Sequence, residues 1–246
     1  MLKSAALVIG ASGGIGEECV KQLLNSGHYS QVYAVSRSST DNPLRGVEYR
    51  VVQSEDETQV GELCNELKAQ NLHFSTVICC IGALHGTNQY NQSIMPEKRL
   101  EDINPENLNF YFQTNTILPA IWLKHLVPIM KGSEPAKLVF FSARVGSIND
   151  NLLGGWYGYR ASKSALNMLL KSAQVECQRR AKNISLVSYH PGTVDTELSR
   201  PFQANVPNDK LFSREFTVSQ LLQFVTNLLA EDGPHYIDWQ GKTIPW

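Results

Sequence analysis

No run of about 18 apolar residues occurs anywhere in the 246-residue chain, so it offers no membrane-spanning helix. Neither charge dominates. Lysine and arginine total 22 against 23 acidic side chains, a formal net charge of -1, which leaves no electrostatic claim on nucleic acid or an anionic membrane surface. Cysteine is scarce and unpatterned: Cys19, Cys64, Cys79, Cys80 and Cys177 form an odd set without framework spacing. That argues against a secreted disulfide scaffold and fits a reducing, cytoplasmic compartment. Metal-ligand spacing is missing too, because Cys79 and Cys80 are adjacent and the six histidines are scattered, so no metal is expected. No internal repeat, low-complexity tract or Gly/Ser linker divides the chain.

What is present is an ordinary globular composition, 42% hydrophobic and 18% charged, with 17 Gly and 11 Pro. At a typical ~150 residues per domain the length allows one large domain or two small ones. Met1 to Gly10 holds a short apolar stretch that runs into a glycine turn with no cleavage-site pattern, and it reads as a first strand rather than a leader. Seven strands are expected: Ala5 to Ile9, Gln31 to Ser36, Val47 to Val52, Thr76 to Ile81, Lys137 to Phe141, Ile184 to Tyr189 and His235 to Trp239. Most are apolar on both faces, as strands covered by helices on each side should be. Helical stripes alternate with them. Ile15, Cys19, Val20, Leu23 and Leu24 mark one, and Val60, Leu63, Cys64 and Leu67 another, the latter opened by a capping box from Ser54 to Glu57. Leu108 to Val127 and Trp156 to Arg180 read as two long helices, and a last one carries Val218, Leu221, Leu222, Val225, Leu228 and Leu229 before Gly233-Pro234. Strands alternating with helices predict an α/β, doubly wound, mainly parallel Rossmann fold in a single domain over 1–246, with Leu84 to Asn107 and Glu197 to Ser213 left as functional loops.

The first strand empties into Gly10-Ala11-Ser12-Gly13-Gly14-Ile15-Gly16 directly before the first helix. A backbone that turns sharply, approaches a pyrophosphate and presents free helix N–H groups needs glycines, so Gly10, Ser12, Gly13, Gly14, Ile15 and Gly16 are candidate cofactor-binding residues. The second strand ends Val35-Ser36-Arg37-Ser38, with no carboxylate before Asp41. An acid there would hold a ribose 2′-hydroxyl, whereas a guanidinium accommodates a 2′-phosphate; Ser36, Arg37 and Ser38 therefore point to NADP(H) over NAD(H).

Near mid-chain, Trp156-Tyr157-Gly158-Tyr159-Arg160-Ala161-Ser162-Lys163 places Tyr159 and Lys163 one helical turn apart, facing one cleft. Tyr157 has Ala161 at the equivalent spacing and lacks such a partner. A nearby ammonium stabilises a phenolate, so Lys163 is expected to bring the Tyr159 acidity toward neutrality. With these residues in this order, the chain resembles the short-chain dehydrogenase/reductase family over essentially its whole length. The ordered matches are Gly10, Gly14 and Gly16; Cys79-Cys80-Ile81-Gly82 in place of N-N-A-G; Asn115; Ser142; Tyr159 with Lys163; and Pro191-Gly192-Thr193-Val194-Asp195-Thr196. Ser142-Ala143-Arg144-Val145-Gly146-Ser147 and the closing Asp238 to Trp246 look like the C-factor-like branch.

The resemblance implies an oxidoreductase that moves hydride between a nicotinamide and a carbonyl or alcohol. Tyr159 would be the general acid, Ser142 would hydrogen-bond the carbonyl oxygen, Lys163 would hold the ribose, and Asn115 would support a proton relay. Pro191, Gly192, Thr193, Val194 and Thr196 would line the nicotinamide, and Cys80, Ile81 and Gly82 would contact the cofactor through the backbone. Departures are the two cysteines and Gln53, which stands about where the family often has an aspartate near the adenine; Ser54 is the neighbouring donor. Cys79 and Cys80, vicinal on a strand, should point to opposite faces and pack rather than react. His85, just beyond Gly82, is within loop reach of the cleft. The competing class is a cofactor-sensing or signalling protein without turnover; an epimerase or dehydratase of the extended branch would need an added substrate domain. The Glu197 to Ser213 segment, rich in apolar residues, is expected to cover the cleft, with Trp156 flanking it. Family members often form dimers or tetramers through the two long helices.

Overall fold

The computed structural model describes residues 3–88 and 90–246; Met1 and Leu2, at the head of the N-terminal stretch, and Gln89, in the expected Leu84 to Asn107 loop, lie outside the described residues. The seven expected strands form within one to three residues of their expected ends. They are β1 Ser4–Ile9, β2 Gln31–Ser36, β3 Val47–Val51, β4 His73–Cys79, β5 Ala136–Phe141, β6 Ile184–His190 and β7 His235–Asp238. All pair in parallel in the order β7-β6-β5-β4-β1-β2-β3, so the winding reverses between β1 and β4. A crevice outside the strand ends at such a reversal is where an open α/β sheet binds its ligand.

Alternation along the strands builds two cores. Ala5, Leu7 and Ile9 of β1 face one cluster that holds Val60, Leu63, Trp122, Leu126, Leu166 and Leu170. Ala6 and Val8 face the other, with Cys19, Val20, Leu23, Val218, Leu221 and Val225. The β4 strand breaks the alternation once. Opposite Ala5 and Ala6 stand Phe74 and Thr76, so Ser75 is an extra residue, and its Oγ lies 2.6 Å from Ser4 Oγ. The bulge turns Phe74, Val77 and Cys79 to the same face. Beyond it, Cys79 and Cys80 join opposite cores, as vicinal strand residues do.

The helices are α1 Gly14–Asn25, α2 Glu57–Ala69, α3 Pro105–Phe112, α4 Leu118–Met130, α5 Tyr157–Arg180 and α6 Arg214–Val225. Four expectations change here. The α2 cap is Asp56, whose carboxylate accepts from Thr58 N and Gln59 N, whereas Ser54 is drawn away to accept from Trp122 Nε1 at 3.0 Å. A buried indole donor needs that acceptor more than an exposed helix end does. The expected Leu108 to Val127 helix begins earlier, at an Asn104 cap followed by Pro105, and is split by a π-helical turn at Gln113–Ile117. Within the turn, Thr116 Oγ1 donates to Ser162 O, a tertiary tie that the wider turn accommodates. Trp156 is not helical but caps α5 in the left-handed region, at φ 54°. Finally α6 stops at Val225, short of Leu228 and Leu229, because the Leu229 carbonyl is taken by Ser185 Oγ and the His235 ring.

The two expected loops carry more order than their composition implies. The first holds a short antiparallel pair, Gly86–Thr87 with Ser93–Ile94, and a turn of 3₁₀ helix at Leu100–Asp102. The second holds 3₁₀ turns and a two-residue strand, Leu211–Phe212, that pairs in parallel with Thr193–Val194. Among the described residues no helix is long and apolar enough to cross a membrane.

Because Ser54 serves Trp122 and not the α2 cap, Ser54→Ala is expected to cost about 1–3 kcal/mol by leaving a buried N–H unpaired. Denaturant unfolding measures it; a loss no larger than that of an exposed Ser→Ala change would overturn this role.

Candidate active site

At the ends of β1, β2 and β4 lies a cleft of about 570 Å³, lined by Gly10, Ser12, Gly13, Ser36, Arg37, Ser54, Cys80, Ile81 and Gly82 among others. Nine sequence-expected cofactor residues therefore share one cavity. The glycine turn suits a close-lying pyrophosphate. Gly10 has φ +78°, and a Cβ on Gly16 would stand 2.2 Å from the Gly10 carbonyl oxygen. No side chain caps α1, so its first N–H groups and the positive end of its dipole face the cleft. The turn after β2 is built by hydrogen bonds: Ser36 Oγ donates to Ser38 O at 2.7 Å, and Gln53 Nε2 donates to Arg37 O at 2.8 Å. Ser38 and Gln53 thus shape the Arg37 turn rather than line the cavity, whereas Arg37 itself is among the lining residues. These residues fit a nicotinamide dinucleotide.

The expected catalytic residues sit beside the cleft, joined to it through Gly82. A Cβ there would be 3.2 Å from Lys163 Nζ and 3.4 Å from Asn115 Oδ1. The Asn115 side chain is spent on structure: Oδ1 accepts from Ala83 N at 2.8 Å, and Nδ2 donates to Ala83 O and Ser162 Oγ. It supplies from α4's side the amide bonds that cysteines at 79 and 80 do not. Lys163 is buried and donates to Phe141 O at 2.8 Å, with Nζ 5.9 Å from the Tyr159 ring centre. Burial lowers its ammonium to about 8, against a smaller raising effect of Cys79. The expected depression of Tyr159 is not found: burial pushes its hydroxyl above the usual tyrosine range, and Tyr236 adds to the rise. Desolvation outweighs the neighbouring cation.

Behind Ser142 the sequence reading missed a polar shelf. Ser142 Oγ donates to Asn167 Oδ1 at 2.7 Å, Ser188 Oγ donates to the same oxygen at 3.0 Å, and Tyr236 Oη donates to Ala143 O at 2.7 Å. Asn167 was within reach of sequence reasoning, since it lies one further turn beyond Lys163 on the same stripe; Tyr236, on β7, has no local signal. His190 closes the shelf with Nδ1 unpartnered, held neutral by burial and Arg144, which lower it to about 4.

Tyr159 itself is seated by aromatic rings and a carboxylate. Its ring meets Tyr111 at 6.2 Å and Trp156 at 6.1 Å, both edge-on, and Phe202 of the 197–213 segment covers Trp156 at 5.2 Å. Glu97, only 2% exposed, holds the start of α5 at two points: its carbonyl accepts from Trp156 N at 2.5 Å and its Oε2 from Gly158 N at 3.0 Å. A Cβ on Gly158 would meet the Tyr111 ring at 2.5 Å, which is why glycine stands between the two tyrosines. His85 lines the cleft and joins the two loops by a ring-nitrogen contact with Glu197 O. Both strand-four cysteines are held protonated, Cys79 pushed up to about 12 by burial and Cys80 raised by Cys19 and burial, so neither is a ready nucleophile. Among the described residues no cluster of metal-ligating side chains occurs.

The Pro191 to Thr196 loop, expected at the nicotinamide, follows β6. Thr217 Oγ1 donates to Pro191 O, Asp195 N donates to Phe212 O, and buried Thr196 lies beside Ser199. This loop is thereby fastened to α6 and the 197–213 segment.

Comparison with known proteins agrees with this geometry. C-signal of Myxococcus xanthus is 27% identical over 60% of this chain and 83% of its own. The carbonyl reductase Sniffer of D. melanogaster superposes with a TM-score of 0.82 at 20% identity, covering 100% of both chains. The NADPH-bound carbonyl reductase from chicken fatty liver gives 0.80 at 21% identity, again over 100% of both. At those identities the structures share the fold. Residues 4–207 match the short chain dehydrogenase family, and with the glycine turn and the Tyr159–Lys163 pair in place the chain belongs to that family of oxidoreductases.

Proposed function

We propose that the chain, as one cofactor-binding domain over 1–246, is an NADP(H)-dependent reductase of aldehydes or ketones, working in either direction according to cofactor poise. The observation that carries this reading is the meeting of Tyr159, Lys163, Asn115 and Ser142 beside a cleft whose lining carries Arg37 directly after β2, where no carboxylate stands before Asp41, with Glu55 the acid elsewhere on that lining. Likeness to carbonyl reductases in fold supports it.

When bound, the nicotinamide supplies hydride; the proton and its placement belong to the protein. Tyr159 stays protonated through neutral pH, because burial disfavours its phenolate, and so is set to donate from Oη to a carbonyl oxygen that gains charge. Ser142 would be the second donor to that oxygen. Its hydroxyl now points to Asn167, and Asn167 retains Ser188 as a partner if Ser142 turns to substrate. Lys163, fixed by Phe141 O, offers its remaining donors toward Gly82 and the ribose side of the cleft. With the Asn115 amide committed, a relay at that position falls to main-chain groups, where the π turn loosens the regular helix bonding. Trp156, Phe110 and Phe202 line an apolar approach suited to an apolar carbonyl compound.

Tyr159→Phe is expected to abolish NADPH oxidation across a panel of reactive carbonyls with the thermal transition unchanged; full activity in that variant would sink the mechanism. NADPH binding without turnover by the wild type would favour the sensing alternative.

Calorimetry should find NADPH bound more tightly than NADH, and Arg37→Ala should bring the two together. Tighter NADH binding refutes the cofactor choice.

The pH profile follows from Lys163. Its folded value near 8 means the ammonium is present below that pH and lost above it, so kcat/KM for carbonyl reduction should fall as pH rises through about 8. A flat profile from pH 7 to 9 would remove the lysine charge from the mechanism.

A further inference from the structure

We infer that Arg214, the first residue of α6, is a further cofactor-binding residue, closing on the pyrophosphate beside the glycine turn. Its side chain lies across the start of α1. A Cβ on Gly14 would stand 2.8 Å from both Nε and Cζ of Arg214 and 3.2 Å from Nη2, so the guanidinium rests against the bare Cα of the first α1 residue. From there Nε donates to Asp195 O at 3.3 Å. The cation thus spans the gap between the α1 N-terminus and the Pro191 to Thr196 loop. A dinucleotide whose adenosine end lies at Arg37 and whose nicotinamide lies at Val194 must carry its two phosphates across that gap.

The position is built rather than incidental. Leu211–Phe212 pairs with Thr193–Val194, Phe212 opposite Val194, so the backbone entering α6 is in register with the nicotinamide loop. Ser213 Oγ then accepts from Phe216 N and caps α6, and Gln22 Nε2 donates to Glu215 O at 3.0 Å, tying the same turn to α1. Arg214 is two residues past the ladder. Among the described residues it forms no salt bridge, since Asp195 Oδ1 accepts from Gln203 and Glu17 pairs with Lys21. The neighbouring Glu215 carboxyl is held down mainly by its own backbone and Ser213, with Lys21 and Arg214 contributing least. A planar guanidinium with no carboxylate partner, beside uncapped helix N–H groups, matches the doubly charged pyrophosphate. Gly14 acquires a second reason to lack a side chain: any Cβ would lift this cation off the helix end.

Resting on the proposed dinucleotide site, the assignment is tested by calorimetry of wild type, Arg214→Ala, Arg214→Lys and Arg37→Ala with NADPH, NADH and adenosine 2′-phosphate, which has no pyrophosphate. Arg214→Ala should weaken NADPH and NADH by the same factor, about tenfold, and leave adenosine 2′-phosphate unchanged. Arg37→Ala should weaken NADPH and adenosine 2′-phosphate but not NADH, and Arg214→Lys should recover part of the loss. Wild-type NADPH affinity in Arg214→Ala overturns the inference, as does a parallel loss of adenosine 2′-phosphate, which marks a disturbed fold. Failure of the wild type to bind either dinucleotide would instead overturn the site reading itself.

Discussion

Burying an ammonium is the constraint around which the rest of this molecule is arranged. Lys163 is 3% exposed, and a charge so far from water must be met by acceptors or give up its proton. Both happen in part: Phe141 O accepts from one N–H, and burial makes the ammonium more acidic. The strand end of β5 must therefore present a free carbonyl, the segment after β4 must pass without a side chain at Gly82, and the π turn before α4 must present Asn115 to brace that segment. Remove the lysine and these features lose their common cause.

The sheet makes this possible because its seven strands all end on one side. Residues far apart in sequence, Gly10, Arg37, Gly82, Ser142 and Pro191, emerge at neighbouring strand ends, and the reversal between β1 and β4 opens the crevice between them. The two helical layers are unequal in role. On one face α1 packs against α6 near the glycine turn; on the other α5 carries Tyr159 and Lys163.

Strand content was legible because two-sided burial leaves long apolar words in the chain, and the cleft residues were legible because glycine turns and the Tyr–Lys spacing are local. Tertiary competition defeated the rest. Ser54 had the pattern of a cap and was claimed by Trp122, 68 positions away. The Leu228–Leu229 pair continued a helical stripe, yet the Leu229 carbonyl was claimed by β6 and β7. The π turn at Asn115 changes backbone bonding without altering the side-chain pattern, and Tyr236 and Glu97 reach the site from elements with no chemical signature of their own. Likewise the Tyr159 acidity could not be read from a neighbouring lysine, since the depth of burial is a property of the packed fold.

The Glu97 tie to Trp156 and Gly158 bears on how such proteins diversify. A surface insert between β4 and α3 would ordinarily be a free module, open to lengthening or exchange as new substrates are met. Here its closing end is tied into the first turn of the tyrosine helix, so a change in one segment is felt by the other. Variation is admissible at the outer hairpin near Asn88 and Gln92, whereas a graft that fails to deliver a buried acceptor at position 97 carries the tyrosine off its mark. Recombination between relatives would thus respect a seam that no element boundary reveals.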